Sequence, residues 1–182
     1  MSFGAADDGM DDQGLREQLE KHHRESFGWA LSCCGRDRQR AEDVLQRSYL
    51  KVLEGRARYE DRGAFKTWLF AVIRTTARDE RRREALHRVG LLRYEARIRA
   101  SPAPNGDGAG DALDRARLRD ALVAALNKLP ARQREAMQLV FYHDMSVSEA
   151  ADVLGISLGS ARTHYERGKQ SLRTHLGAEG IQ

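Results

Sequence analysis

The chain has 182 residues, 41% of them hydrophobic, and a formal net charge of +4. This length allows one domain or two small ones with compact cores. No apolar stretch approaches the ~20 residues that span a bilayer, and the acidic start lacks the pattern of a signal peptide, so we expect a cytoplasmic protein. The adjacent Cys33 and Cys34 are read as reduced, partly buried thiols, because they form neither a disulfide framework nor the spaced pairs of a zinc site.

Basic charge is concentrated in the first half of the chain. Residues 1–35 carry three Lys/Arg against seven Asp/Glu, a balance of −4, whereas residues 36–99 carry eighteen against ten, a balance of +8. A local excess of this kind favours a polyanionic partner, because neutralised phosphates release counterions. Charge alone leaves open the alternative that these basic residues form a solvated surface with no polyanionic partner.

The composition, with few β-branched runs and only three prolines, predicts an all-α fold. Apolar spacing from Leu15 to Leu31 predicts one amphipathic helix that stops at Gly35. A second helix carries a stripe from Ala41 to Val52 and ends at Gly55.

A third, longer helix should begin near Phe65. Its predicted inner face consists of Leu69, Val72, Ile73 and Thr76. By the same periodicity the opposite face is basic and consists of Arg74, Arg78, Arg81 and Arg82. Four cations on one face give strong affinity for phosphates but little sequence information.

Prolines and glycines cluster in residues 101–110, which is typical of a flexible linker. We therefore predict two small helical domains on a tether. The predicted boundaries are a disordered acidic tail at 1–13, a first domain at 14–99, a linker at 100–111 and a second domain at 112–182. In the second domain, spacing from Leu118 to Leu129 predicts a helix that ends at Pro130, and Met137, Val140 and Phe141 mark the next one.

A helix-turn-helix is predicted from residue 146 to residue 169. Ser148 can cap its first helix, and Gly155 lies where the turn needs a left-handed residue. The second helix should start after Ser157, another cap. Its predicted buried positions are Ala161, Tyr165, Gly168 and Leu172.

That register leaves a polar, basic face on the second helix. Its predicted members are Ser160, Arg162, Thr163, Glu166, Arg167 and Lys169. These side chains suit base edges and phosphates in the major groove of DNA. A plain helical hairpin with a polar outer face is the alternative interpretation.

Four segments resemble sigma factors of the extracytoplasmic-function (ECF) type, which keep the second and fourth sigma domains. They are Ala41-Glu-Asp-Val-Leu-Gln46, Phe65-Lys-Thr-Trp-Leu69 followed by Arg78-Asp-Glu-Arg-Arg82, Leu129-Pro-Ala-Arg-Gln-Arg-Glu-Ala-Met137, and the helix-turn-helix. The resemblance covers most of the chain. It implies a factor that binds RNA polymerase core enzyme and directs promoter-specific initiation at minus-ten and minus-thirty-five elements.

The resemblance also implies a role for each segment. The polymerase-docking face would be Asp43, Gln46, Arg47 and Leu50. The minus-ten contacts would be Arg56, Arg58, Tyr59, Arg62, Lys66, Trp68, Arg74, Arg78, Arg81 and Arg82. The minus-thirty-five contacts would be Arg132, Arg134, Ser160, Arg162, Thr163, His164, Arg167 and Lys169. Relatives often pair with an anti-sigma factor, so one is expected as a further partner, beside promoter DNA.

Several of these positions have a second interpretation or depart from the family pattern. Cations with Tyr59 in the loop suit an unstacked base and its phosphates, but an exposed basic loop would look the same. Trp68 is read mainly as a core residue. Arg47 and His164 stand where the family has an acidic residue and an arginine, and Thr75 or Thr76 stands where it has an asparagine.

Two other classes of protein, a stand-alone regulator and an enzyme, fit the sequence less well. A stand-alone regulator would use the helix-turn-helix as a dimer on an operator, which leaves the basic first domain unexplained. An enzyme is not expected, because the chain has no Gly-rich phosphate loop, His-Glu-x-x-His motif or nucleophile elbow. No metal or cofactor is predicted, since His22, His23 and the cysteines fit no common zinc spacing.

Overall fold

The computed structural model describes residues 10–61, 63–92 and 122–178, and these ranges contain helices and no strand. The first part holds α1 (Asp12–Lys21), α2 (His23–Cys33), α3 (Arg38–Leu53) and α4 (Phe65–Leu92). The second part holds α5 (122–128), α6 (Ala131–Phe141), α7 (Val147–Leu154) and α8 (Leu158–Ala178). The all-α prediction, with two helical units, is confirmed. The predicted linker at 100–111 and Leu118 lie outside the described residues.

The first predicted helix is in fact two helices, so the prediction of one was wrong. α1 ends at His22, whose φ and ψ of −96° and 5° leave the helical region, and α2 starts on the next residue. The His22 ring stacks on Phe65 at 6.2 Å between ring centroids, and its Nδ1 lies 3.4 Å from Glu25 Oε2. These contacts stabilise the break between the two helices at His22. The spacing of apolar residues does not predict this break.

α2, α3 and α4 pack around an aromatic centre. Trp29 is fully buried, stacks on Phe70 with 5.8 Å between centroids, and donates its indole N–H to the Phe70 carbonyl at 3.0 Å. Leu69 and Ile73 complete the inner face of α4. Asp37 caps α3 by accepting from the Arg40 N–H, and Gly55 follows the helix with a φ of +68°.

Cys33 and Cys34 carry free thiols, the first buried and the second half-buried. Burial raises the pKa of both thiols.

α6, α7 and α8 pack on one another in the second unit, where Leu139, Leu154 and Ala161 are buried. The two units also meet, because α4 packs against α7 and α2 contacts α6. One apolar core therefore runs through both units. Among the described residues, none of the helices combines the length and apolar character needed to cross a membrane.

Candidate nucleic-acid interface

The predicted polymerase-docking residues lie along the solvent side of α3. Asp43, Gln46, Arg47 and Leu50 are all exposed, the last at 44%. Their neighbours Val44, Leu45 and Ser48 face the core. α3 therefore presents a polar face that ends in two exposed leucines, Leu50 and Leu53.

Arg47 is held by the neighbouring helix. Its guanidinium pairs with Glu80 of α4, which raises the pKa of Arg47 through the hydrogen bond and the carboxylate charge. Arg40 pairs with Glu84 at 2.6 Å, about two turns before Arg47 on α3 and one turn after Glu80 on α4. The positive charge at position 47 is thus neutralised within the chain, so the docking face keeps the acidic character that Asp43 gives it.

The loop between α3 and α4 places Tyr59 against aromatic rings. Tyr59 lies edge-on to Phe65 at 5.2 Å and tilted against Trp68 at 5.4 Å, and its hydroxyl donates to the Gly63 carbonyl. Arg56 and Arg58 are exposed on the same loop. Arg62 lies outside the described residues.

Trp68 is only partly buried and packs against the core through this aromatic cluster. Both interpretations of Trp68 are compatible with this position, because one side of the ring contacts the cluster and the rest stays accessible. The loop therefore brings cations and aromatic rings together at one end of α4.

The predicted basic face of α4 is correct for three of its four arginines. Arg78, Arg81 and Arg82 are exposed, and Arg81 also donates to the Cys33 carbonyl at 3.0 Å. The prediction that Arg74 faces outward with them was wrong. It is 5% exposed, because the second helical unit covers this part of α4.

Arg74 instead contacts the second unit. Its Nη2 and Nε donate to Glu135 Oε2 at 3.0 and 3.3 Å, and its Nη1 donates to the Leu154 carbonyl at 3.2 Å. Lys66 behaves similarly, since its Nζ donates to Glu25 Oε1 at 3.0 Å and to the His143 carbonyl at 2.9 Å.

The helix-turn-helix is present, with one correction to its start. The N-cap of α7 is Ser146 and not Ser148. The Ser146 hydroxyl accepts from the Glu149 N–H, while the Glu149 side chain accepts from the Ser146 N–H. This reciprocal capping box satisfies two helix-end donors at once, which a cap at Ser148 would not do.

The corner is as predicted, and of the four predicted buried positions of α8, Ala161 and Gly168 are buried while Tyr165 and Leu172 are half-buried. Gly155 has a φ of +60°, and Ser157 Oγ accepts from the Ser160 N–H at the start of α8. Gly168 packs so closely on α6 that a Cβ there would lie 2.8 Å from Met137 Cγ. These features fix which face of α8 is turned toward solvent.

That face is polar and basic. Ser160, Arg162, Thr163 and Arg167 are exposed, and His164 is half-buried. Lys169 pairs with Glu166 at 2.9 Å and lies over the Tyr165 ring, 5.3 Å from its centroid.

The two arginines predicted outside the helix-turn-helix sit at the start of α6. Arg134 donates to the Asn127 carbonyl at 3.3 Å. Arg132 donates to the Leu154 carbonyl at 3.3 Å and lies 3.6 Å from Glu135. Burial and the nearby Arg74 lower the pKa of Arg132.

Sequence reasoning missed Trp29, His143 and Glu135, which connect the two units. The His143 ring is 2% exposed and stands edge-on to Phe70 at 4.8 Å and to Trp29 at 5.9 Å. Nothing local in the sequence marks these residues, because their contacts lie far away along the chain. In the described residues no group of three or more His, Cys, Asp or Glu is arranged to hold a metal ion.

Comparison with known proteins matches both units in the expected order. The model of Sigma-70 region 2 matches residues 19–86, and the model of Sigma-70, region 4 matches residues 119–172. The RNA polymerase sigma factor CarQ of Myxococcus xanthus is 32% identical over 165 residues, which cover 91% of each chain. The chain belongs to the sigma-70 family. It is a sigma factor of the ECF type, and it directs promoter-specific initiation of transcription.

Two further relatives agree. The ECF RNA polymerase sigma factor SigE of Mycolicibacterium smegmatis is 28% identical over 165 residues, which cover 91% of this sigma factor and 61% of SigE. The sigma factor RpoE of Bartonella quintana, solved in complex with the anti-sigma factor NepR, is 23% identical with a TM-score of 0.67. That alignment covers 90% of this chain and 96% of RpoE, and it shows a shared fold.

Proposed function

We propose that the exposed faces of α3, α4 and α8 each carry a separate binding function of this sigma factor. α3 docks on core polymerase, α4 with the preceding loop binds the minus-ten element, and α8 reads the minus-thirty-five element. The proposed second domain is 112–182, with 100–111 as a linker. The first domain is proposed to run from Asp12 to residue 99 and not from residue 14, because α1 begins inside the predicted tail of 1–13. The factor is proposed to act in the cytoplasm and to have no catalytic activity of its own, since nucleotide addition belongs to the polymerase.

The proposed docking residues are Asp43, Gln46, Arg47 and Leu50. Leu50 supplies apolar area inside a polar rim, which is the usual arrangement of a protein interface. Arg47 would act there indirectly, because its pair with Glu80 holds α3 against α4.

The minus-ten contacts are proposed to combine phosphate anchoring with base stacking. Arg78, Arg81 and Arg82 would follow the strand backbone, because exposed guanidinium groups along one helix face match a row of phosphates. Tyr59 and Trp68 would stack on an unpaired base, with Arg56, Arg58 and Arg62 near its phosphates. Lys66 and Arg74 would join this surface only when their contacts to the second unit are released.

The minus-thirty-five contacts are proposed to come from two places in the second unit. On α8 they are Ser160, Arg162, Thr163, His164, Arg167 and Lys169. At the start of α6 they are Arg132 and Arg134. The single observation that best supports DNA reading is the exposed front of α8, which the capping box, Gly155 and the close Gly168 contact hold in a fixed orientation.

Arg162 and Arg132 allow a test of base reading against phosphate anchoring. Arg162→Ala should weaken binding to the best promoter by about 1–3 kcal/mol and flatten the preference at one or two positions, since a guanidinium can bond two acceptors of a guanine. Arg132→Ala should weaken all promoters alike and reduce the salt slope by about one unit. Holoenzyme binding to a substitution library at two salt concentrations measures both effects.

The reverse pattern of results would show that the proposed orientation of α8 on DNA is wrong. In that case Arg162→Ala lowers all sequences equally, while Arg132→Ala changes the preferred bases. Arg173→Ala, at an exposed position of α8 about three turns beyond Arg162, serves as the charge-matched control and should change neither preference nor salt slope appreciably.

An anti-sigma factor is the remaining proposed partner, and an apolar groove between the two units suits it. The groove has a volume of about 860 Å³ and is lined by α2, α5, α6 and α8. Leu31, Leu126, Phe141 and Leu172 are among its apolar walls. Arg36, Lys169 and Arg173 supply cations, and the lining that the described residues form includes no carboxylate. An amphipathic helix with acidic flanks would complement both features.

A designed peptide tests this groove directly. A helical 20-residue peptide of Leu and Glu should bind the factor, since its charge complements the groove rim, whereas a Leu and Lys peptide of the same pattern should not. Phe141→Asp should weaken Leu/Glu binding at least about tenfold, because Phe141 is 60% exposed within the groove. Fluorescence anisotropy gives these affinities. Equal binding of both peptides, or no effect of Phe141→Asp, would contradict the assignment.

A further inference from the structure

Glu166 is the one acidic residue of α8, a helix that the structure describes over all of its 21 residues. Its side chain is 61% exposed. Phosphates repel a carboxylate on a surface that approaches DNA. Such a residue therefore weakens binding unless it meets a hydrogen-bond donor on the edge of a base.

Glu166 lies near the middle of the solvent-facing side of α8. Successive residues of an α-helix are about 100° apart around its axis. The buried Ala161 and Gly168 mark the side that packs on the protein, and Glu166 lies roughly 140–160° from both. Arg162 and Thr163, both exposed, precede Glu166 by one turn. A helix that faces DNA with Arg162 therefore brings Glu166 to DNA as well.

The neighbouring side chains leave Glu166 free to accept a hydrogen bond from a base. Thr163 Oγ1 donates to the Gly159 carbonyl at 2.9 Å, so its hydroxyl proton is already bonded within the helix. Lys169 Nζ lies 3.0 Å from Glu166 Oε1 and 2.9 Å from Oε2. A carboxylate has about four acceptor sites, so one ammonium leaves sites for a base while it offsets part of the repulsion by phosphates.

The major groove offers few donors to such an acceptor. They are the N4 amino group of cytosine and the N6 amino group of adenine. Adenine also presents the N7 acceptor beside N6, which would face the second carboxylate oxygen. Guanine and thymine present the acceptors O6, N7 and O4. A carboxylate therefore favours cytosine over the other three bases.

We propose that Glu166 is a specificity-determining residue of this sigma factor, which selects a cytosine in the minus-thirty-five element by accepting from its N4 amino group. The proposal rests on the proposed function of α8 in reading that element. One helical turn of about 5.4 Å separates Glu166 from Arg162, and bases repeat about every 3.4 Å along a strand. The cytosine should therefore lie within about two base pairs of the position that Arg162 reads.

Glu166→Gln tests the proposal by changing the chemistry of one side chain at nearly constant shape. A glutamine amide both donates and accepts, so it fits N6 and N7 of adenine. We expect the unsubstituted holoenzyme to prefer cytosine at one minus-thirty-five position on the order of tenfold, and the variant to prefer adenine there. Glu166→Ala should lose the cytosine preference and gain no other. Holoenzyme binding to a promoter library with randomised minus-thirty-five positions measures these preferences.

Asp152→Asn is the matched control for the loss of a negative charge. It removes an exposed carboxylate from α7, the other helix of the helix-turn-helix. It should strengthen binding to all sequences alike and leave every base preference unchanged, because the repulsion of phosphates does not depend on the base. If Glu166 only positions Lys169 against a phosphate, Glu166→Gln also changes all sequences alike. That result would overturn the proposal.

Arg162→Ala distinguishes failure of this proposal from failure of the proposed function. If Arg162→Ala flattens a base preference while both Glu166 variants leave every preference intact, α8 reads the element without Glu166, and the proposal is wrong. If none of the three variants changes a base preference, α8 does not read the minus-thirty-five element. The proposed function and this proposal then fail together.

Discussion

Replacement of Leu50 by aspartate should abolish association with core polymerase. Leu50 is 44% exposed on the proposed docking face, one turn beyond Gln46 and one turn before the exposed Leu53 at the end of α3. A buried charge at the centre of an interface costs as much as a hot-spot residue, about 3 kcal/mol or roughly 100-fold in Kd. The factor itself should remain folded, because substitutions at exposed positions change stability by about 0.5 kcal/mol or less. Fluorescence anisotropy of the labelled factor with core polymerase measures the Kd.

Leu86→Asp is the matched control for this experiment. Leu86 is 65% exposed on α4. Leu86→Asp therefore places the same charge at an exposed leucine position outside the docking face. It should retain binding to core polymerase within about threefold. If Leu86→Asp impairs binding and Leu50→Asp does not, the docking face lies on α4 and not on α3.

Replacement of Trp29 by alanine should cause the largest loss of stability. Trp29 is fully buried, stacks on Phe70, and donates to the Phe70 carbonyl. Truncation of such a side chain costs about 3–5 kcal/mol, and a carbonyl that loses its donor adds to this. A typical domain has only about 5–15 kcal/mol in total. Urea unfolding followed by circular dichroism measures the loss.

Two tryptophan variants give this prediction its controls. Trp29→Phe keeps a stacked ring but loses the N–H donor, and should cost about 1–2 kcal/mol. Trp68→Ala should cost about 1–2 kcal/mol as well, since that ring is only partly buried. Trp68→Ala should nevertheless reduce promoter opening more than Trp29→Phe, because Trp68 belongs to the proposed minus-ten surface. If both positions lose stability equally on alanine substitution, the core is not centred on Trp29.

Glycines and capping side chains in the sequence predicted most helix ends. Gly55 and Gly155 end helices with positive φ, and Ser157 caps α8, because each acts on backbone groups within a few residues. The start of α7 was missed by two residues. Yet the sequence carried its signal, because Ser146-Val-Ser-Glu149 is the pattern of a capping box.

Helical periodicity could not predict the contacts between the two helical units. The basic face of α4 was predicted from helical spacing, which treats one helix at a time and says nothing about what covers it. Arg74 is buried by residues 61 and 80 positions away in the sequence, and Lys66 reaches a carbonyl 77 positions away. For the same reason Trp29 and His143 carried no local mark, although large aromatic residues dominate small cores.

The most direct test of the central claim is run-off transcription by purified core polymerase on genomic fragments, with and without the full chain. A sigma factor should yield discrete transcripts only when chain and core are combined, and Leu50→Asp should abolish them. The contrary result would be an unchanged transcript pattern together with tight, dimeric binding of the chain alone to duplex DNA, which is how a stand-alone regulator behaves.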